Sequence, residues 1–170
     1  MHVGTTSFPR YAFLGDDEAR FVNSAFSRLL PEHDDDSWRS SAGAEYVDER
    51  LRTGDDCVLQ LSIDLGAEEL RLTAAQVAST YRRGIAAVQR HCMARCGDAF
   101  QDLPVRQQHL VLRLLERGAP SAGLRGHDPL FWLLVQHAAE AYFLATHIAL
   151  VRSDRGVARP SPLQQDRLLA

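Results

Sequence analysis

The chain of 170 residues contains no lysine: all 19 basic residues are arginine, set against 22 acidic ones for a formal net charge of -3. Nucleic-acid binding relies on clustered positive charge facing phosphates, so this balance argues against a DNA or RNA partner. Arginine alone also suits interfaces, where its planar fork pairs with carboxylates. Cysteine is scarce. Cys57, Cys92 and Cys96 are odd in number and irregular in spacing, which excludes the disulfide framework of a small secreted domain. Long hydrophobic runs are missing too, and without about 20 consecutive apolar residues no direct membrane insertion is expected. The segment Met1 to Leu14 carries one arginine and no apolar core of the signal-peptide kind, so the chain as written is expected in the cytoplasm.

Several chemical signatures are also absent. No glycine-rich fingerprint follows a strand, which removes the usual pyrophosphate cradle at a helix N-terminus, and no cofactor is expected in this chain. There is no Gly-x-Ser-x-Gly elbow. Helical di-iron centres draw ligands from Glu-x-x-His pairs, and neither Glu116 nor Glu140 has a histidine three residues on. No residue is assigned a catalytic role.

What the sequence does contain is helical periodicity. Val22, Ala25, Phe26, Leu29 and Leu30 follow the acidic start Asp16-Asp17-Glu18 and stop at Pro31. Glu32 to Asp36 then reads as an acidic loop. A short helix over Gly43 to Arg52 places Tyr46, Val47 and Leu51 on one face, and Thr53-Gly54-Asp55-Asp56 closes it. From Cys57 to Leu72 the alternation of Leu59, Leu61, Ile63 and Leu65 resembles a strand, but one strand cannot satisfy its own backbone. An extended segment packed on helices is the expectation there. Thr73 and Gln76 form a capping box that opens the clearest helix, with Val77, Tyr81, Ile85, Val88 and Cys92 as its apolar stripe and Gly97 as its stop. Pro104 opens another, carrying Leu110, Val111, Leu114 and Leu115 to Gly118. After a loop from Gly118 to Gly126, Asp128-Pro129 starts the most hydrophobic helix, Leu130 to Val151, apolar on more than one face and so central or interface-facing. The expected fold is all-α: a single-domain helical bundle over 1–170, with a helical core at 11–151 and an extended C-terminal tail at 152–170.

Two groups of residues invite chemistry. Cys92 and Cys96 lie one turn apart on a helix with His91 beside them, a metal site only if further ligands such as Cys57 or His109 are brought in; otherwise the cysteines are small hydrophobes filling the stripe. A stand-alone helical metal-binding protein using His91, Cys92 and Cys96 is the alternative function. On the last helix, His137 and Glu140 meet at i and i+3 as a hydrogen-bonding or acid-base pair. Phe131, Trp132, Tyr142 and Phe143 lie beside them, more aromatic surface than one helix face can bury. Aromatic residues are what interfaces favour, so Phe131, Trp132, His137, Glu140, Tyr142 and Phe143 form the candidate partner surface.

In their order, several landmarks resemble the gluconate 2-dehydrogenase subunit 3 family. They are Tyr11-Ala12-Phe13-Leu14, Arg28-Leu29-Leu30-Pro31, Ala42-Gly43-Ala44 with Tyr46 to Leu51, and Leu72-Thr73 through Tyr81-Arg82-Arg83-Gly84-Ile85. Gly97, Phe100, Leu103, Gln108, Leu114 to Gly118, Phe131-Trp132 and Glu140 to Phe143 continue the series. The family's usual Tyr-Gly-Gly-Asn segment has no counterpart between Ala145 and Arg159. The resemblance implies a non-catalytic accessory subunit that binds and stabilises a larger FAD-dependent GMC-type alcohol or sugar dehydrogenase subunit, with FAD in that partner. It also admits a cytochrome subunit in the complex, and periplasmic residence by co-export with the partner as the alternative to the cytoplasm.

Overall fold

The computed structural model describes the backbone of residues 11–30, 42–63, 66–117 and 129–156, and the side chains of all of these except 60–68 and 148–156. Within them lie five α-helices and one two-stranded sheet: α1 (Asp16–Leu29), α2 (Ala42–Thr53), β1 (Cys57–Ile63), β2 (Gly66–Leu72), α3 (Ala74–Cys96), α4 (Val105–Arg117) and α5 (Pro129–Gly156). A single 3₁₀ turn, Phe100–Asp102, joins α3 to α4. The architecture is the expected all-α one with a small sheet added. The acidic loop Glu32 to Asp36 and the loop Gly118 to Gly126 lie outside the described residues.

Helix boundaries follow local chemistry. Glu18 Oε2 accepts the Gly15 N–H at 2.8 Å, satisfying one donor at the start of α1. Leu30, the residue before Pro31, is already extended, as the proline ring demands of its predecessor. At Thr73 the capping box closes in both directions: Gln76 Oε1 accepts the Thr73 N–H at 2.8 Å, and the Thr73 hydroxyl accepts the Gln76 N–H. Gly97 ends α3 at φ 83°, in the left-handed region where a Cβ is costly. The α3 stripe Val77, Tyr81, Ile85, Val88 and Cys92 is buried in full.

Four expectations change. The Cys57 to Leu72 segment is an antiparallel hairpin, with Cys57 opposite Leu72 and Leu59 opposite Leu70. The backbone of β1 is satisfied by β2, whose polar Glu68, Glu69 and Arg71 hide its strand character; Cys57, Leu59 and Leu72 face the core. Helix α4 starts one residue late: Pro104 stands outside it and lends its carbonyl to the N–H groups of Gln107 and Gln108. On α4 the buried hydrophobic residues are Val111, Leu112 and Leu115, while Leu110 is 53% exposed and Leu114 is exposed as well. Finally, α5 runs past Val151 to Gly156, so residues 152–156 are helical rather than extended; 157–170 lie outside the described residues.

The helices share one apolar core with α5 at its centre, packed against α1, α2, α3, α4 and β1. Gly84 sets the α3–α5 approach, because a Cβ there would stand 2.6 Å from Leu130 Cδ2 and 2.9 Å from its Cβ. The N-terminal segment is tied down by Asp48, a buried carboxylate on α2 that accepts the N–H groups of Ala12, Phe13 and Leu14, each at 2.8 Å. Burial alone would raise the pKa of Asp48, but those three donors outweigh it and hold the carboxyl below its ordinary range. Arg82 on α3 adds a hydrogen bond to the Phe13 carbonyl at 3.0 Å and stacks over the Phe13 ring.

Candidate functional site

Where α2, α3 and α5 meet the hairpin, polar side chains gather inside the core. His137 on α5 is 1% exposed, and its Nδ1 shares a hydrogen bond of 2.8 Å with the Tyr81 hydroxyl of α3. The two rings lie nearly parallel, and Tyr46 of α2 meets the imidazole edge-on. One turn along α5, Glu140 accepts from the Tyr46 hydroxyl at 2.5 Å and from Gln136 Nε2 at 3.0 Å. His137 and Glu140 therefore do not bond to each other directly. Each has a tyrosine partner on a different helix, so the pair pins α5 to both α2 and α3.

The protonation states follow from the surroundings. Burial pushes His137 down to about 4, with Arg50 acting in the same direction and Glu140 opposing, so the imidazole is neutral at physiological pH. Burial also raises the Tyr81 hydroxyl well above its ordinary value. Tyr46 is raised by burial and by the neighbouring Glu140 carboxylate. Burial works against the Glu140 charge, yet the hydrogen bonds from Tyr46 and Gln136, together with His137 and Arg50, keep its carboxyl below the ordinary value. Cys57, at the start of β1, feels the same carboxylate and is held protonated chiefly by burial. At neutral pH the cluster thus holds one negative charge on Glu140 and no group poised to titrate. Its chemistry is that of a lock: satisfied buried hydrogen bonds that fix the relative placement of three helices.

The candidate partner surface divides on inspection. Phe131, 7% exposed, and His137 are buried in this chain's own core, which takes both off the surface, because they fall on the inner stripe of α5. Trp132, Glu140 and Tyr142 are half-buried, and the Trp132 indole Nε1 is buried with no hydrogen-bond partner among the described residues. Phe143 is 71% exposed. The inner stripe itself, Leu130, Leu134, His137 and Ala141, continues at helical spacing to Leu144, which is 52% exposed. Distal α5 therefore presents core-type residues to solvent.

The cysteine-histidine group does not assemble. Cys92 is buried in the α3 stripe, with its thiol pushed up to about 11 by burial, whereas Cys96 is exposed and His91 half-buried. Cys57 lies beside the tyrosine-histidine cluster instead, and His109 is on the exposed side of α4. Among the described residues no three His, Cys, Asp or Glu side chains come together as metal ligands would have to. Tyr46, Tyr81 and Gln136 are the cluster members that sequence reasoning missed as polar partners. The one available signal was Tyr81 itself, since a tyrosine inside an apolar stripe needs somewhere to place its hydroxyl.

Together these features define a small helical protein whose long last helix is locked into its own core from Leu130 to Ala141 and exposes Phe143 and Leu144 just beyond it. The chain belongs to the gluconate 2-dehydrogenase subunit 3 family, whose family model matches residues 16–149. No curated protein and no solved structure matches it. The family's name is that of a subunit of gluconate 2-dehydrogenase, which implies an assembly of more than one chain. No helix among the described residues is long and apolar enough to cross a membrane.

Proposed function

We propose that this chain is a non-catalytic accessory subunit that binds and stabilises a larger FAD-dependent, GMC-type alcohol or sugar dehydrogenase subunit. The observation that carries this reading is the course of α5 in a member of a family named for a dehydrogenase subunit. Its stripe is core from Leu130 to Ala141 and then emerges as Leu144 beside Phe143. Uncovered aromatic and aliphatic side chains of this kind supply the anchors of a stable interface, which should bury at least about 1,000 Å². The flavin, and with it the redox chemistry, belongs to the partner.

Co-expression with a GMC-type flavoprotein subunit encoded beside this chain tests the proposal. The expected outcome is a flavin-containing complex that survives size-exclusion chromatography, and a flavoprotein that melts lower when the small chain is withheld. A chain that elutes as a monomer and leaves the flavoprotein's melting unchanged would contradict it.

A further inference from the structure

The side of α5 that carries Phe143 also carries a charge. Gln136, Glu140, Phe143, Leu144 and His147 fall at steps of three and four along the helix, so they share one side of it. The stripe begins at the edge of the core, where Tyr46 of α2 reaches the half-buried Glu140, and ends in solvent at Phe143, Leu144 and His147.

The Glu140 carboxylate is held in place rather than neutralised. Oε2 accepts from the Tyr46 hydroxyl and Oε1 from Gln136 Nε2, and both donors are uncharged. No ion pair to Glu140 forms among the described residues, and Arg50, whose positive field reaches it, is spent on Asp55 at 3.0 Å. Each carboxylate oxygen has two lone pairs, so one stays available on either side. The two donors also fix where those lone pairs face, which lowers the cost of ordering the side chain when a partner arrives.

Apolar contact and charge constrain that partner together. Phe143 lies one turn beyond Glu140, so a surface that covers its ring also takes water from the carboxylate. A carboxylate stripped of water without a counter-charge is penalised, and the penalty opposes the gain from covering Phe143 and Leu144. A neutral donor would leave the charge in place; a cation cancels it. Given the docking role proposed for distal α5, on which this rests, we infer that the Glu140 carboxylate pairs with a cationic side chain of the flavoprotein subunit, an arginine or lysine beside the apolar patch that receives Phe143 and Leu144. Tyr46 and Gln136 are positioning residues for the carboxylate. The pair fixes the register in which α5 docks, because apolar contact alone has no direction.

Dissociation of the complex between this chain and the GMC-type flavoprotein encoded beside it, followed by biolayer interferometry, tests the pairing. Two variants break the same Tyr46–Glu140 hydrogen bond and differ in charge. Glu140→Gln removes the charge and should speed dissociation about tenfold or more, whereas Tyr46→Phe leaves the carboxylate ionised and should stay within about threefold of wild type. Association should change less than dissociation in Glu140→Gln, as it does when a desolvated pair rather than a rim charge is lost. Glu140→Asp, which keeps the charge on a shorter stem, should recover part of the loss. Tyr46→Phe dissociating as fast as Glu140→Gln would trace the effect to the lock within this chain and overturn the pairing. So would wild-type dissociation in Glu140→Gln; if Phe143→Asp/Leu144→Asp still abolishes the complex, the accessory role then stands without the pairing. A wild-type chain that forms no complex at all contradicts the accessory role, and the pairing with it.

Discussion

The two halves of α5 have much the same composition and opposite fates. From Leu130 to Ala141 the helix is surrounded by α1, α2, α3, α4 and β1, and even its histidine is supplied with a buried partner. From Tyr142 to His147 the same kind of sequence stands with Phe143 and Leu144 in solvent. At 28 residues the helix is about 42 Å long, and Phe143 and Leu144 lie past the part that its neighbours bury. Hydrophobicity records that a segment wants cover; only the lengths and positions of the other elements decide whether the chain itself provides it. In the first half the apolar residues act on stability, and in the second, on the proposed reading, they act on association.

Substitutions in the two halves should therefore separate two readouts. Leu134→Ala, in the fully buried half, is expected to cost about 2–5 kcal/mol in a denaturant melt of the isolated chain, through lost burial and the cavity left behind. Gly84→Ala, which forces a methyl group into Leu130, should cost about 1–3 kcal/mol in the same experiment. If neither variant changes the melt, the proximal half is not the core described here.

The buried histidine sharpens the contrast through pH. An unfolded His137 takes up a proton near 6.5, but the folded one holds out to about 4, so within that window the unfolded state binds more protons. Stability is then complete above about pH 6.5 and falls as pH drops toward 4. Asp48 and Glu140, whose carboxyls are held low in the fold, add their losses only below their ordinary values. Replacing both members of the buried pair, as Tyr81→Phe with His137→Leu, should flatten the upper part of this slope and leave the lower part. The smallest effect is expected in the distal half: Phe143→Ala should change the isolated chain's stability by no more than about 0.5 kcal/mol, because its ring touches little of the core.

Most of the helical frame was legible in the residues. The Thr73/Gln76 box, the Gly97 stop and the five-residue stripe of α3 are local signals that depend on no distant contact, and the structure follows them. Strand β2 was hidden because its side chains are half charged and its only reason to be a strand is β1 beside it. On α4, Leu110 and Leu114 share a periodic pattern with Val111 and Leu115, and periodicity alone could not say which pair faces inward. The lock was half visible. His137 and Glu140 sit three residues apart in any helix, but their real partners Tyr81 and Tyr46 lie 56 and 94 residues away along the chain and meet them only through tertiary packing.

The most direct test of the accessory-subunit account is co-purification of the Phe143→Asp/Leu144→Asp chain with its GMC-type flavoprotein, run beside the wild-type chain. The account predicts that the wild-type chain brings down a flavin-bearing partner, and that the double variant folds with unchanged thermal stability yet elutes alone. Equal recovery of the flavoprotein with both chains would contradict the claim that distal α5 is the docking surface, and recovery with neither would contradict the accessory role itself.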